Sequence, residues 1–161
     1  CVHHFCVPTR SGSIRHLVVT SSDNGEVQGW LSALEHKPRL VGCYEAMDTS
    51  LPKPPTGQLS KGLLIGLTDS RSAEEYDAFN RWYDGTHAAD VLASGVYWSA
   101  ARFRRADNNT QGIPEFLALY ESEQSGGAVL KALMTHYESH PSPVDEVCLV
   151  RRVWAFDRQS L

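Results

Sequence analysis

Long apolar runs, an excess of positive charge and clustered cysteines are all missing from this sequence of 161 residues. Its uninterrupted apolar stretches span only a few residues, as at 63–65, whereas a membrane-crossing helix needs about 20. The formal net charge is −4, so no global positive field attracts nucleic acid. We therefore expect no membrane span and no nucleic-acid partner.

Motifs for metals, disulfides and common cofactors are missing as well. The 4 cysteines form no C-x-x-C pair and are expected to be reduced and mostly buried. Among the 7 histidines, His136 and His140 have helical spacing but no evident third ligand, so a solvated helix end explains them better than a metal site. No metal and no cofactor are expected. With no signal peptide at the start of the sequence, the expected location is the cytoplasm.

The hydrophobic share of 42% fits one globular domain or two small repeats. Residues 62–68 form an apolar run that is typical of a buried strand. Apolar residues then recur at helical spacing over 73–94. Ser72 and Glu75 predict a capping box at the start of this helix, and Gly95 predicts its end.

Two strands, a second helix and a last strand complete this pattern. Aromatic and β-branched residues predict strands at 96–105 and 114–121 around a turn at 108–112. A helix is predicted within 125–141, and a strand at 148–157. The order β-α-β-β-α-β is that of the ferredoxin-like motif. The predicted fold class is therefore α+β, with ferredoxin-like antiparallel sheets and helices on one face.

The first third of the sequence repeats the last four elements of this order. Residues 40–48 match 149–157 at Leu, Val, Ala and Asp. A strand at 17–19 and a helix at 25–35 precede that match, in the same order as in the second part of the chain.

Three segments are predicted from this repeat. They are a partial β-β-α-β repeat at 1–50, a proline-rich linker at 51–61 and a complete repeat at 62–161. Two sheets that pack face to face within one chain would close a barrel, with the helices outside. Because the partial repeat lacks the first strand and helix, it leaves an unpaired edge that favours a homodimer.

Residues 79–87 form the densest chemical patch of the sequence. Helical spacing places Phe79, Tyr83 and His87 on one face, with Trp82 on its flank. A histidine beside a tyrosine can move a proton near neutral pH. On residue chemistry alone, however, a core stripe with a satisfied histidine is the more frequent arrangement.

Aromatic and arginine side chains on the predicted strands allow two interpretations. Trp98, Tyr120 and Trp154 either fill the core or form walls for a flat apolar ligand. Arg102 and Arg104 share a face, as solvated edge residues do, and this is the preferred interpretation. An arginine that lines a pocket would instead bind a carboxylate or an enolate.

The long helix and the strand after it also carry a spaced motif. Its residues are Tyr76, Phe79, Trp82, Tyr83, Asp84, His87, Gly95, Val96, Ala101, Arg102 and Phe103. This motif resembles that of the EthD-like members of the dimeric α+β barrel superfamily. The resemblance covers about 62–157 well, and 1–50 weakly as a degenerate second copy.

The resemblance implies a dimeric α+β barrel, in which ferredoxin-like units pair through their sheets, here within one chain. Members of the superfamily include cofactor-free monooxygenases, polyketide cyclases and decarboxylases, and haem-handling enzymes. Carried over to this sequence, His87 is the candidate acid or base, and Trp82 and Tyr83 lie in the pocket wall. The missing first strand and helix of the first copy depart from the family's pattern.

The leading hypothesis is a cofactor-independent enzyme that acts by proton transfer on an apolar aromatic or polyketide-like small molecule, as a cyclase, decarboxylase or monooxygenase. His87 and Tyr83 are the catalytic candidates. The substrate-binding candidates are Phe79, Trp82, Trp98, Arg102, Tyr120 and Trp154. The alternatives are a non-catalytic ligand-binding or assembly protein of the same fold and a haem-binding relative.

Overall fold

The computed structural model describes residues 2–6, 16–20, 44–55, 58–106, 114–142 and 144–158. The strands are β1 (Val2–Cys6), β2 (His16–Thr20), β3 (Tyr44–Ala46), β4 (Gly62–Ser70), β5 (Ser99–Arg105), β6 (Phe116–Ser122) and β7 (Cys148–Arg158). The helices are α1 (Tyr76–Trp82), a π-helical segment (Tyr83–His87), α2 (Ala88–Ala93), α3 (Gly126–Ser139) and α4 (Val144–Val147). The α+β class is confirmed.

The described strands form one seven-stranded sheet in the order β2-β1-β7-β4-β6-β5-β3. Every pairing between neighbours is antiparallel. Instead of forming a second sheet, as expected, β1 pairs with β7 and β3 pairs with β5. The physical reason is that the outer strands of a sheet present unpaired backbone groups, which additional strands can satisfy.

Some of the expected elements lie outside the described residues. These are the helix at 25–35, the turn at 108–112 and the first part of the strand at 40–48. The remainder of that strand contains β3. The strand predicted at 17–19 is confirmed as part of β2.

Strand β4 is buried on both faces, which explains its continuous apolar run. Leu64 belongs to a core cluster between the sheet and the helices, together with Phe79 and Phe116. Leu63 and Ile65 point to the opposite face and belong to a second cluster. The buried members of this second cluster are Leu63, Ile65, Leu67 and Phe156. The sheet therefore separates two apolar layers.

The helix boundaries agree with the end predicted at Gly95 and with a start at Ser125, but not with the capping box predicted from Ser72 and Glu75. Gly95 has the positive φ of 75° that suits a residue after a helix end. The Ser125 side chain accepts a hydrogen bond from the Ala128 N–H at 3.3 Å, as an N-cap does. At α1 the prediction is wrong: the helix begins at Tyr76 without a side-chain cap. The backbone and the Ser72 hydroxyl lower the pKa of the Glu74 carboxyl instead.

Gly126 leaves room for β7 to pass beneath the start of α3. A Cβ at this position would lie 2.6 Å from the Phe156 carbonyl oxygen, and that neighbour is backbone and cannot swing away. Gly126→Ala should therefore lower the free energy of unfolding by about 2–3 kcal/mol, as overpacking does. The matched control is Gly85→Ala, whose Cβ would meet no atom within 4 Å. Urea denaturation should show no loss for the control, and an equal loss in both variants would contradict this account.

Candidate functional site

The densest chemical patch lies on a π-helical segment between α1 and α2. The Ala88 N–H donates to the Tyr83 carbonyl, five residues back, which is the π-helical pattern. This pattern brings residues five apart onto adjacent turns, and the rings of Trp82 and His87 stack with centroids 5.0 Å apart and planes inclined by 19°. Single π-turns within α-helices occur frequently at functional sites.

His87 is enclosed by aromatic rings. Its residue exposure is 9%, and the Tyr83 ring meets its imidazole edge-on at 4.7 Å. Within the described residues, Nδ1 of His87 has no hydrogen-bond partner. Burial lowers the pKa of His87 to about 4; Asp90 partly opposes this shift, and Arg102 adds to it. The imidazole is therefore neutral at physiological pH.

The low pKa of His87 predicts how stability depends on pH. An unfolded histidine binds a proton near pH 6.5, whereas folded His87 does so only near pH 4. Between these values the unfolded state holds the extra proton, so stability present above pH 6.5 is lost as the pH falls toward 4. The loss from this group should reach about 3 kcal/mol.

Urea denaturation at several pH values measures this loss. His87→Phe keeps an aromatic ring but cannot titrate, so its stability should fall less with acid than that of the original protein. The difference between the two curves isolates His87 from the carboxylates, which titrate in both proteins. Parallel curves would show that His87 does not resist protonation in the folded state.

Arg102 ties the π-helical segment to the sheet. Its side chain is 1% exposed, and Nη1 donates to Asp84 Oδ1 at 2.9 Å. Nη2 donates to Asn80 Oδ1, also at 2.9 Å. The guanidinium carbon lies 4.2 Å from the centre of the Tyr83 ring, in a cation–π contact. Two polar groups one helical turn apart thus hold one buried cation.

The preference for a solvated Arg102 is therefore wrong, whereas a solvated Arg104 is confirmed. The Arg104 side chain is 56% exposed and pairs with Glu115 at 3.1 Å. The two arginines share a face of β5, but α1 and the π-helical segment cover only the first of them. Asp84 offsets the buried charge of Arg102, and Asp84 and Asn80 each accept one of its hydrogen bonds, while Nε has no partner in the described residues.

Four tyrosines lie in or against the core cluster between the sheet and the helices, and one of them, Tyr83, contacts His87. Tyr83 is 2% exposed; burial raises its pKa to about 12, and its hydroxyl lies over Gly66. Burial also raises the pKa of Tyr120, Tyr137 and Tyr97. The Tyr97 hydroxyl donates to a backbone carbonyl at 3.3 Å. The hydroxyls of Tyr120 and Tyr137 have no hydrogen bond of normal geometry with any described residue.

Asp90 links the π-helical region to α3. Its Oδ1 lies 3.0 Å from Nε2 of His136, whose side chain is 13% exposed. His136 stacks on His140 with ring centroids 4.5 Å apart. The expectation that both histidines are solvated is therefore wrong for His136, because its ring pairs with the Asp90 carboxylate on α2. In the described ranges, no group of three His, Cys, Asp or Glu residues is arranged to hold a metal ion.

The structure brings most of the predicted site residues to one place. Those on the helix side of the sheet are Phe79, Trp82, Tyr83, His87, Arg102 and Tyr120. Trp98 lines a separate cavity of about 290 Å³ before β5. Trp154 packs against Phe156 in the second cluster, on the opposite face of the sheet. A ligand beside His87 therefore does not touch Trp154.

Sequence reasoning missed four residues of this site: Asn80, Asp84, Asp90 and Tyr137. Asn80 and Asp84 have the spacing of one helical turn, and this pattern could have suggested a shared cation. Their partner, Arg102, lies 18 residues or more further along the chain. No local pattern distinguishes Tyr137 from the other apolar residues of α3.

No protein-family model matches the sequence, and no curated protein matches it. None of the helices in the described ranges has the length and apolar character that a membrane crossing requires. The functional conclusion therefore depends on the site itself.

Proposed function

We propose that this chain binds a flat, oxygenated aromatic molecule between the sheet and the helices and transfers a proton at His87 without a cofactor. The observation that supports this proposal is the buried Nδ1 atom of His87, which has no partner among the described residues. We propose further that the chain is an EthD-like member of the dimeric α+β barrel superfamily, as its helix motif suggests.

A neutral buried imidazole suits the role of a general base. Because burial lowers the pKa of His87 to about 4, its base form is the main form at neutral pH. The proton of an acidic C–H or O–H bond of the ligand passes to this imidazole, and the electron pair stays on the ligand as an enolate or phenolate. Asp90, which favours the protonated imidazole, stabilises the ion pair that results. Ring closure, loss of carbon dioxide or reaction with oxygen can follow.

The neighbours of His87 are suited to the developing anion. Tyr83 is a protonated donor, because burial raises its pKa to about 12. Arg102 brings a permanent positive charge to the same layer and lies against the Tyr83 ring. Donors and positive charge fixed in a water-poor site stabilise an anionic transition state more than water does.

Curvature of the sheet supports a barrel. Tyr44 of β3 packs against the second cluster, whose members lie on β4 and β7. In the sheet order, β3 and β4 are three strand spacings apart, about 14 Å in a flat sheet. Curling of the sheet would shorten that separation, as closure of a barrel does. We also propose that the chain forms a homodimer through an edge of its sheet.

A second candidate function is ligand binding without chemistry. The 9% exposure of His87 and its stack on Trp82 also describe an ordinary core histidine. In that case the site between sheet and helices holds the same class of molecule but changes no bond in it.

The two functions are separated by an assay with dihydroxyanthrone, an aromatic molecule with an acidic C–H bond. The protein should speed the conversion of this probe in aerated buffer, as followed by absorbance and mass spectrometry. His140→Ala is the control, because it removes an exposed histidine outside the site. Binding of the probe without faster conversion would favour the non-catalytic function.

A further inference from the structure

Two buried phenol hydroxyls in the site make no hydrogen bond of normal geometry within the described part of the chain. They belong to Tyr120, which is 2% exposed, and to Tyr137, whose oxygen is inaccessible to solvent. Native proteins satisfy the large majority of their buried polar atoms, so each exception needs an explanation. A phenylalanine at either position would avoid the cost of an unpaired hydroxyl.

Both hydroxyls belong to the same cluster as the candidate base. Tyr83, Tyr120 and Tyr137 are close enough that the charge of one affects the pKa of another. Tyr83 in turn contacts the His87 ring. Tyr97 packs on Tyr120 with ring centroids 5.6 Å apart, but its own hydroxyl is satisfied by the Val129 carbonyl. Tyr97 therefore provides a comparison within the same cluster.

The chemistry of these groups defines what they can bind. Burial raises the pKa of both Tyr120 and Tyr137, so each hydroxyl keeps its proton and acts as a donor. A ligand oxygen that accepts a hydrogen bond would satisfy each of these O–H groups. A purely hydrocarbon ring would leave both hydroxyls unpaired, so the site should bind such a ring much more weakly than an oxygenated one.

We infer that the ligand of this site carries at least two acceptor oxygens, as in a hydroxyquinone or an aromatic diketone, and that the hydroxyls of Tyr120 and Tyr137 bind them. This inference rests on the proposed function, because it names the class of molecule that the same site takes. It concerns recognition alone and requires no proton transfer.

The test uses hydroxynaphthoquinone and dimethylnaphthalene, two probes of similar ring size of which only the first carries acceptor oxygens. Tyr120→Phe and Tyr137→Phe should each weaken hydroxynaphthoquinone binding by about 5–10-fold, the effect of one lost hydrogen bond. Both should leave dimethylnaphthalene binding within about twofold of the original. Quenching of tryptophan fluorescence measures both dissociation constants.

Thermal unfolding without ligand supplies an independent readout. The Tm of Tyr120→Phe and Tyr137→Phe should be unchanged or higher, because each loses an unpaired hydroxyl. Tyr97→Phe should lower the Tm, because it removes the hydrogen bond that the Tyr97 hydroxyl donates to the Val129 carbonyl.

Three results would overturn the inference. They are a Tm loss in all three variants, an equal weakening of both probes, or no binding of hydroxynaphthoquinone to the original protein at millimolar concentration. Tyrosine-dependent binding together with no acceleration of proton transfer would instead overturn the proposed function and leave the inference standing.

Discussion

Alanine in place of His87 should lower the rate of dihydroxyanthrone conversion per folded molecule by about 10²–10⁴-fold, the usual contribution of general acid–base catalysis. The change removes the proposed base of the π-helical segment. It also removes the ring stacked on Trp82, so the Tm should fall while the protein still folds. Rates are therefore referred to the folded fraction, and His140→Ala should retain full activity.

The pH profile of the original protein provides a further check on His87. Since its pKa lies at about 4, kcat/KM should stay level from neutral pH downward and fall only near pH 4. A fall centred near pH 6.5, the usual histidine value, would show that the base is a solvated histidine elsewhere. A His87→Ala variant with normal stability and full turnover would end the proposal.

Replacing Arg102 by methionine should produce the largest loss of stability, about 3–5 kcal/mol, because two hydrogen bonds of the guanidinium are lost at about 1.5–3 kcal/mol each. Asp84 and Asn80 lose their shared donor, and the Tyr83 ring loses the cation above it. Methionine replaces the apolar stem of the arginine side chain with one of similar length. The loss of stability therefore measures the missing guanidinium group rather than a cavity. Chemical denaturation measures it.

Arg104→Met is the matched control for Arg102→Met, since it makes the same substitution two residues along the same face of β5. The Arg104 side chain is 56% exposed, so the loss should stay below about 1 kcal/mol. Arg102→Lys should recover only part of the stability, because an ammonium group cannot bind Asn80 and Asp84 as a planar fork does. Equal losses at the two arginines would contradict the described role of Arg102.

Much of the fold is predictable because its signals are local. The apolar run of β4, the glycine at 95 and the serine at 125 each act within a few residues of the chain. The pairing of β1 with β7 and of β3 with β5 is not local, and alternation along a strand does not reveal its neighbour. One extended sheet in place of two separate ones follows from contacts that the sequence does not display.

The part of the site on the first helix was predictable, because helical spacing determines which of its side chains face the sheet. Phe79, Tyr83 and His87 are all buried on the helix side, as their spacing predicts. The π-turn leaves no periodic signature, so the stack of Trp82 on His87 could not be foreseen. Trp154 was misplaced because strand aromatics look alike in sequence, while the alternation of β7 assigns this one to the opposite face.

The central claim, proton transfer at His87, can be measured without knowledge of the natural substrate. Dihydroxyanthrone is incubated with the protein in D₂O under nitrogen, and proton NMR follows the replacement of its acidic C–H by deuterium. The original protein and His140→Ala should accelerate this exchange, whereas His87→Ala should reduce it to the rate in buffer alone. Exchange that is as fast with His87→Ala as with the original protein would contradict the account, as would no acceleration when the probe is bound.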